Sequence, residues 1–259
     1  VREAVEEFKP YAIAIEHPQS FNKSLREAVS RLPFISLIIR EAEDEAIYIP
    51  IDPCDSIIEA VRLAIDEEIP FFPIDKDINS INPNSHYLMP DDYLLNKIGL
   101  EEFYKEVKSN YSFFKTDADK EREIFMAYKL NELSKNYKRI LFVVGMSHWE
   151  NIVNIMKKND YSKINDINDF QNINTDEENI NIYNVHKDSL NKALGEFPFA
   201  TYMYELYREG KLYNFDKINI IETIFKEAKL RYKLPISLLQ QKNMMKYLRN
   251  LCLLENYIL

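Results

Sequence analysis

Four short apolar segments of this chain each end in an acidic residue or a histidine, and helical segments lie between them. Predicted strands cover residues 11–16, 46–51, 70–75 and 139–144, and the polar residues at or just after their ends are Glu16, Asp52, Asp75 and His148. Buried, β-branched strands with short connections to helices are typical of parallel crossovers. Because ligands bind outside the carboxyl ends of parallel strands, this pattern predicts a site at one edge of the sheet.

The fold class and the domain organisation follow from this alternation and from composition. The chain has 259 residues, 46% of them hydrophobic, which is enough for a substantial core. We predict an α/β fold with a mostly parallel central sheet flanked by helices over residues 1–190, including a fifth strand at 180–185. Residues 76–99 and 159–181 have the composition of loops or insertions. Residues 191–259 carry helical patterns, and we expect them to form a C-terminal helical cap packed on this core.

Helical spacing of apolar residues predicts helices between the strands, among them residues 35–44 and the long helix 117–136. The long helix leads directly into the next strand, so it runs back along the sheet from its carboxyl edge. Its first turn then lies near that edge, and Arg122 is expected to point toward Glu16 and His148.

Charge and cysteine content exclude several classes of protein. A net charge of −9 without a basic run argues against nucleic-acid binding. The two cysteines, Cys54 and Cys252, form no disulfide framework, which favours a reducing, cytoplasmic setting. The longest apolar runs, such as residues 34–39, fall far short of the roughly 20 residues that span a bilayer. A homo-oligomeric assembly is compatible with this sequence.

Glu16 and His148 form the leading candidate pair. A carboxylate and an imidazole at adjacent strand ends can share a divalent metal ion, or can activate a water molecule as base and orienting group. The alternative is that Glu16 caps a helix and that His148 only begins the helix after its strand. His17 should point to the opposite face of the strand and is expected to be structural. In a chain with four glycines, Gly145 at a strand end indicates a special conformation or a close approach.

Four further polar residues are considered for the same edge. Asp75 can bind a metal ion or hold a catalytic histidine, whereas Asp77 is expected in a turn and Asp52 at a helix N-cap. Arg122 can stabilise a developing oxyanion. Its alternative is an ion pair with a strand-end carboxylate, which would also place Arg122 in the site.

Four segments carry an ordered set of motifs. They are the helix–strand unit Val1–Glu16, the helix and strand end Glu59–Asp77, the pair Glu121-Arg122 followed by Met126-Ala127, and the GxxH sequence Gly145–His148. In order and separation this set resembles the TraB/PrgY, Tiki and ChaN/erythromycin-esterase-like superfamily. The resemblance extends from the first residue to His148.

The resemblance implies an α/β sheet whose strand-end site is built from two GxxH motifs, a glutamate and an arginine. Glu16, Arg122 and His148 match these positions, and the first GxxH would lie on a strand upstream of Val1. Some members are metal-dependent proteases, others hydrolyse esters, and others bind haem or limit pheromone activity. We therefore expect a hydrolase of a peptide or a small-molecule ester, with Glu16, Arg122 and His148 as catalytic residues. A divalent metal ion would be held by Glu16, His148 and Asp75. The alternative is a non-catalytic member of the fold that binds a ligand or a protein.

Overall fold

The structure, a computed structural model, describes residues 1–41, 46–77, 95–110, 115–159, 161 and 179–255. Most of the predicted loop 76–99 and of the predicted insertion 159–181 lies outside these residues. So does His86, which lies beside a loop in the sequence and is expected at the surface. The chain divides into two compact units, of which the first comprises Val1–Ile81 and Lys115–Thr201 and the second Asn82–Phe114 and Tyr202–Leu259. The candidate site belongs entirely to the first unit.

Helices and strands alternate through the first part of the chain. In chain order the elements are α1 (Arg2–Phe8), β1 (Ala12–Pro18), α2 (Asn22–Val29), β2 (Ser36–Glu41), β3 (Ala46–Pro50), α3 (Ser56–Asp66), β4 (Phe71–Asp75), α4 (Leu95–Asn110), α5 (Asp117–Ser134), β5 (Ile140–Val143), α6 (Met146–Lys158), β6 (Ile180–Asn184), α7 (Leu190–Ala193), α8 (Pro198–Arg208), α9 (Lys217–Tyr232) and α10 (Leu238–Glu255). A short 3₁₀ helix, Gln19–Phe21, connects β1 to α2.

A parallel sheet of three strands, in the order β4-β1-β5, forms the centre of the first unit. Together with its flanking helices it confirms the α/β class. The four residues Ala12–Ile15 of the middle strand are fully buried, as expected for a parallel strand covered on both faces. Side chains alternate between two clusters, since Ile13 and Ile15 lie with α2 and α3 whereas Ala14 lies with α5 and α6.

A second sheet is antiparallel, in the order β3-β2-β6. The predicted strands 46–51 and 180–185 therefore belong to this sheet and not to the parallel one. The predicted helix 35–44 is wrong, because Ser36–Glu41 is the middle strand of this sheet. Its apolar run satisfies both helical and strand spacing, and pairing on both edges decides for the strand.

Local capping explains where two helices of the first unit begin. Asp55 is the N-cap of α3 and accepts hydrogen bonds from the amides of Ile57 and Ile58, so the prediction that Asp52 caps this helix is wrong. Thr116 caps α5 in a capping box with Asp119, in which each side chain accepts a hydrogen bond from the other residue's amide. This cap fixes the residue at which α5 begins.

The second unit is helical. Phe103 and Val107 of α4 and Ile220 and Phe225 of α9 are buried. The helices α8, α9 and α10 give the C-terminal region the helical character that its apolar spacing predicts. No helix within the described ranges is both long and apolar enough to cross a lipid bilayer.

Candidate active site

The guanidinium of Arg122 lies at the carboxyl ends of two parallel strands. Its Nη2 donates to Oε1 of Glu16, at the end of β1, over 2.7 Å, and to Oδ2 of Asp75, at the end of β4, over 2.6 Å. Its Nε donates to both oxygens of Asp75 at 3.1 Å. Nη1 lies 3.5 Å from Oδ1 of Asp119 on the same helix. The guanidinium thus connects α5 to the edge of the sheet through ion pairs with little exposure to solvent.

Glu16 also reaches the third parallel strand, at the turn after β5. Its Oε2 accepts a hydrogen bond of 2.6 Å from the amide of Gly145, the residue that precedes α6. The amino end of α6 favours a carboxylate at this position. A Cβ at Gly145 would lie only 3.1 Å from Oε2 of Glu16, which explains the glycine by close approach rather than by backbone conformation. The carboxylate of Glu16 therefore connects the end of β1 to the turn after β5 directly, and to the end of β4 through Arg122.

His148 contacts a carboxylate through each of its ring nitrogens. Nε2 lies 3.4 Å from Oε1 of Glu16, and Nδ1 lies 2.8 Å from Oε1 of Glu123. Glu123 follows Arg122 on α5, so its side chain points about 100° further round the helix, toward α6. Its side chain is only 1% exposed. Nζ of Lys115 lies 3.3 Å from Nδ1, but the carboxylate of Glu123 is closer and, when ionised, only accepts hydrogen bonds, so we assign the Nδ1 proton to the contact with Glu123.

Two more side chains complete the surroundings of Glu123. Lys115 donates to Oε1 of Glu123 and, over 2.5 Å, to the carbonyl oxygen of Ser147. Asn151, one turn after His148 on α6, donates to Oε2 of Glu123 over 2.9 Å. The buried carboxylate is therefore satisfied at both oxygens, and the imidazole is held between α5 and the strand edge.

The charged contacts in this cluster shift the pKa values of Glu123 and Arg122. Burial raises the pKa of Glu123, but hydrogen bonds from His148, Lys115 and Asn151 lower it by more, so the net pKa lies below its ordinary value. Burial lowers the pKa of Arg122, and its contacts with Asp75 and Glu16 outweigh that effect, so the net pKa is raised. Both groups are therefore held in their charged forms.

The lowered pKa of Glu123 predicts a dependence of stability on acid. A carboxyl group with a pKa below its ordinary value of 4.5 stabilises the folded state fully above that pH. This contribution is lost as the pH falls through the folded-state pKa. At neutral pH, Glu123→Gln should lower the free energy of unfolding by about 1–3 kcal/mol, the cost of weakening charged hydrogen bonds. The deficit relative to the wild type should shrink as the pH is lowered, as measured by urea unfolding at a series of pH values.

A matched control for this measurement is Glu121→Gln, which removes a carboxylate from the same helix. The side chain of Glu121 is 63% exposed and pairs with Lys76 at the surface. We expect this variant to stay close to the wild type at every pH. A deficit in Glu123→Gln that is independent of pH would contradict the proposed contribution.

The structure brings together the three residues that the sequence analysis selected. Arg122 contacts Glu16, and Glu16 contacts His148, so the three lie at one edge of the parallel sheet. Arg122 forms ion pairs with strand-end carboxylates, which was the alternative to its predicted role in stabilising an oxyanion. Asp75 lies in the same cluster, but it pairs with Arg122 and does not hold the histidine. Of the two roles considered for Asp75, the one of holding a catalytic histidine falls to Glu123 in this structure.

Glu123 was missed as a site residue. The signal for it is present in the sequence, since Glu123 shares helical phase with the buried residues Met126, Ala127 and Leu130 of α5. A charged residue within an apolar stripe indicates a buried partner. Lys115 carries no comparable signal, because only the tertiary structure brings it to α6.

Other predicted residues lie elsewhere. His17 points to the opposite face of β1 from Glu16, as strand alternation predicts, and lines a cavity with Phe21 and Ile58. Burial lowers its pKa and outweighs the raising effect of nearby carboxylates. Asp77 accepts hydrogen bonds from Ser20 and Arg40. The residues that would form the expected turn after it lie outside the described residues. His186 is exposed.

A positively charged side chain lies between two of the three predicted metal ligands. The charged Nη2 of Arg122 already lies between the carboxylates of Glu16 and Asp75, at the position where a shared cation would bind. Within the described ranges, no group of three histidine, cysteine, aspartate or glutamate side chains has a spacing that suits a metal ion. In this arrangement a metal ion shared by Glu16, His148 and Asp75 would have to displace the guanidinium of Arg122. Metal binding by these residues stays a prediction.

Fold and site together define a class: an α/β protein with a carboxylate–arginine–histidine cluster at the carboxyl edge of a parallel sheet. The chain is similar to an uncharacterized protein of Methanocaldococcus jannaschii, with 29% identity over 168 residues. The match covers 55% of this chain and 42% of that relative, so this chain spans less than half of the relative's length. No family model matches the chain. No solved structure matches it either.

Proposed function

We propose that this protein is a hydrolase that activates water with Glu16 and His148 and acts on a peptide or an ester. The observation that carries the proposal is the pair of contacts made by the imidazole of His148. Nδ1 contacts the buried Glu123, and Nε2 faces Glu16 at the strand edge. A base oriented by a buried acid is the arrangement that general-base catalysis requires.

One water molecule can donate to both groups at the strand edge. In the neutral imidazole with its proton on Nδ1, Nε2 carries a lone pair, and Oε1 of Glu16 lies 3.4 Å from Nε2. A water bound to both acceptors loses one proton to the imidazole as its oxygen attacks a carbonyl carbon. Glu123 stabilises the imidazolium that forms, because an ionised acid beside a cation lowers the free energy of that state.

Arg122 has a positioning role in this proposal. All three of its nitrogens donate to carboxylates of Glu16, Asp75 and Asp119, so its charge is largely compensated. It therefore holds Glu16 in place, and the substrate oxyanion needs a different donor. The two cysteines, which form no disulfide framework, remain our ground for proposing a cytoplasmic setting.

The test is turnover of a panel of p-nitrophenyl esters and fluorogenic peptides by the full chain. We expect measurable hydrolysis of at least one substrate, and a loss of at least about tenfold in kcat for Glu16→Gln. The exposed substitution Glu121→Gln should leave kcat unchanged. Equal rates for Glu16→Gln and the wild type would exclude Glu16 from the reaction.

The second candidate is a non-catalytic protein that binds a ligand or a partner with the same fold. The closed pairing of Arg122 with its carboxylates favours this candidate, because such a cluster also stabilises a sheet edge without chemistry. It predicts no turnover of any substrate on the panel, with or without added divalent metal. Metal analysis of the purified protein and of His148→Ala would show whether any bound ion depends on the imidazole.

A further inference from the structure

The connection between α9 and α10 is surrounded by large apolar side chains that face solvent. Lys233 ends α9 in the left-handed conformation, with φ of 52°. Ser237 and Gln240 form a capping box at the start of α10, in which each side chain accepts a hydrogen bond from the other residue's amide. The backbone of this connection is therefore well defined. The apolar side chains around it are 43–83% exposed, and they are Leu230, Tyr232, Leu234, Leu238 and Leu239.

The same part of the chain is basic. Residues 226–250 contain seven lysines and arginines and a single acid, Glu227, in a chain whose net charge is −9. Because no two of these basic residues are adjacent, they form no run along the sequence. Three of them recur at i, i+4 and i+7 and therefore share one face of α10. These are the exposed side chains of Lys242, Lys246 and Arg249. Glu227 pairs with Arg231, so the segment keeps a net positive charge.

A bilayer that contains anionic lipids is the partner that suits both features. Each lysine or arginine near such a surface gains about 1 kcal/mol from the anionic headgroups. Leucine and tyrosine side chains beside these cations insert at the boundary between headgroups and acyl chains. Nucleic acid would use the positive charge but not the leucines, because its interfaces with proteins are polar.

The exposure of the leucines also favours a bilayer over a folded protein partner. Leu230 and Leu238 are 74% and 83% exposed, so they project from the surface instead of lining a groove. A protein partner would need a matching pocket for each projecting side chain. A fluid bilayer closes around such a side chain without a preformed pocket.

We propose that residues 226–250 bind the surface of a bilayer that contains anionic lipids. The leucines around the α9–α10 connection insert among the headgroups, and the basic face of α10 contacts lipid phosphates. Leu239 and Lys242 are three residues apart on α10, so an inserted leucine and a phosphate-binding lysine lie on the same side of the helix. This binding is independent of the proposed hydrolysis, because the segment belongs to the second unit and the candidate active site to the first.

The test is co-sedimentation of the full chain with two kinds of vesicle. One kind is phosphatidylcholine alone, and the other contains phosphatidylcholine and phosphatidylglycerol at a molar ratio of about 2:1. We expect binding to the mixed vesicles to be at least about tenfold tighter, and to weaken as salt is added. Equal binding to both kinds, or binding to neither, would overturn the proposal. Tighter binding to single-stranded or duplex DNA than to the mixed vesicles, measured by fluorescence anisotropy, would overturn it as well.

A pair of double variants tests the role of charge. Lys242→Gln with Lys246→Gln should weaken binding to the mixed vesicles about tenfold, because two cations of the basic face are lost. The matched control is Lys105→Gln with Lys135→Gln, which removes the same charge from side chains that are 56% and 62% exposed elsewhere in the chain. The control should bind the mixed vesicles as the wild type does. An equal loss in both double variants would show that only the total charge of the protein matters, which contradicts a specific surface.

Substitutions at Leu239 test insertion. Leu239→Ser should weaken vesicle binding about tenfold, whereas Leu100→Ser, at a side chain 65% exposed on α4, should have no effect. In Leu239→Trp, tryptophan emission should shift to shorter wavelengths on the mixed vesicles. The wild type, whose single tryptophan is Trp149 on α6, should show no such shift. A vesicle-bound Leu239→Trp protein without the shift, or full binding by Leu239→Ser, would exclude insertion at this connection.

Discussion

Replacing Arg122 with alanine is expected to lower the free energy of unfolding by about 3–5 kcal/mol, the range seen when one partner of a buried ion pair is removed. The substitution leaves the carboxylates of Asp75 and Glu16 with 5% and 13% exposure and without their shared cation. Two acidic groups at neighbouring strand ends would then repel each other in a poorly solvated position. Urea unfolding followed by circular dichroism measures the change.

The matched control is Arg31→Ala, which removes an arginine from an exposed i,i+4 ion pair with Glu27. This pair is solvated, and its loss should cost less than about 1 kcal/mol. If Arg122→Ala does not fold, Arg122→Lys provides a milder test, because lysine restores the charge without the forked hydrogen bonds. A cost for Arg122→Ala no larger than that of the control would contradict the role assigned to this ion-pair cluster.

Replacing His148 with alanine is expected to reduce kcat for the best substrate of the panel by about 10²–10⁴-fold, the contribution of a positioned general base. Glu16 and the bound substrate would remain, but no imidazole would accept the proton of the attacking water. Because the side chain of His148 is 9% exposed, circular dichroism of the variant must first confirm that the fold persists. Steady-state kinetics then separate the effect on kcat from that on KM.

Added imidazole offers a readout that a purely structural role would not change. Alanine at position 148 leaves space beside Glu123, and free imidazole bound there should restore part of the lost activity. The control is His186→Ala, since the side chain of His186 is 71% exposed and lies outside the cluster. This variant should keep full activity and show no response to imidazole. Wild-type turnover by His148→Ala would exclude the proposed mechanism.

The strands of the parallel sheet could be predicted closely from the sequence. The predicted strand 11–16 corresponds to Ala12–Pro18, and 139–144 corresponds to Ile140–Val143. A continuous apolar run is fully buried only in a strand or helix that is covered on all sides. The short distance between the residues that end each run favours a strand over a helix. The predicted helix 117–136 likewise corresponds to α5, whose capping box marks its start.

The second sheet could not be predicted, because its pairing depends on distant residues. Ser36 pairs with Asn184, which lies far along the chain. The segment Ser36–Glu41 carries no local preference strong enough to exclude a helix. The partner of His148 could not be predicted for a similar reason. Both Asp75 and Glu123 are acids near the edge, and only the rotation of α5 against α6 decides which of them reaches the imidazole.

Local spacing in the sequence was sufficient to place Glu16, Arg122 and His148 at one edge of the sheet, because parallel strands must end on the same side. The tertiary structure decided which group each of them contacts. Hydrogen bonds act over about 3 Å, and a helix rotation of one residue, about 100°, exchanges one partner for another. No spacing rule along the chain specifies that rotation, which is set by the packing of α5 against α6 and β4.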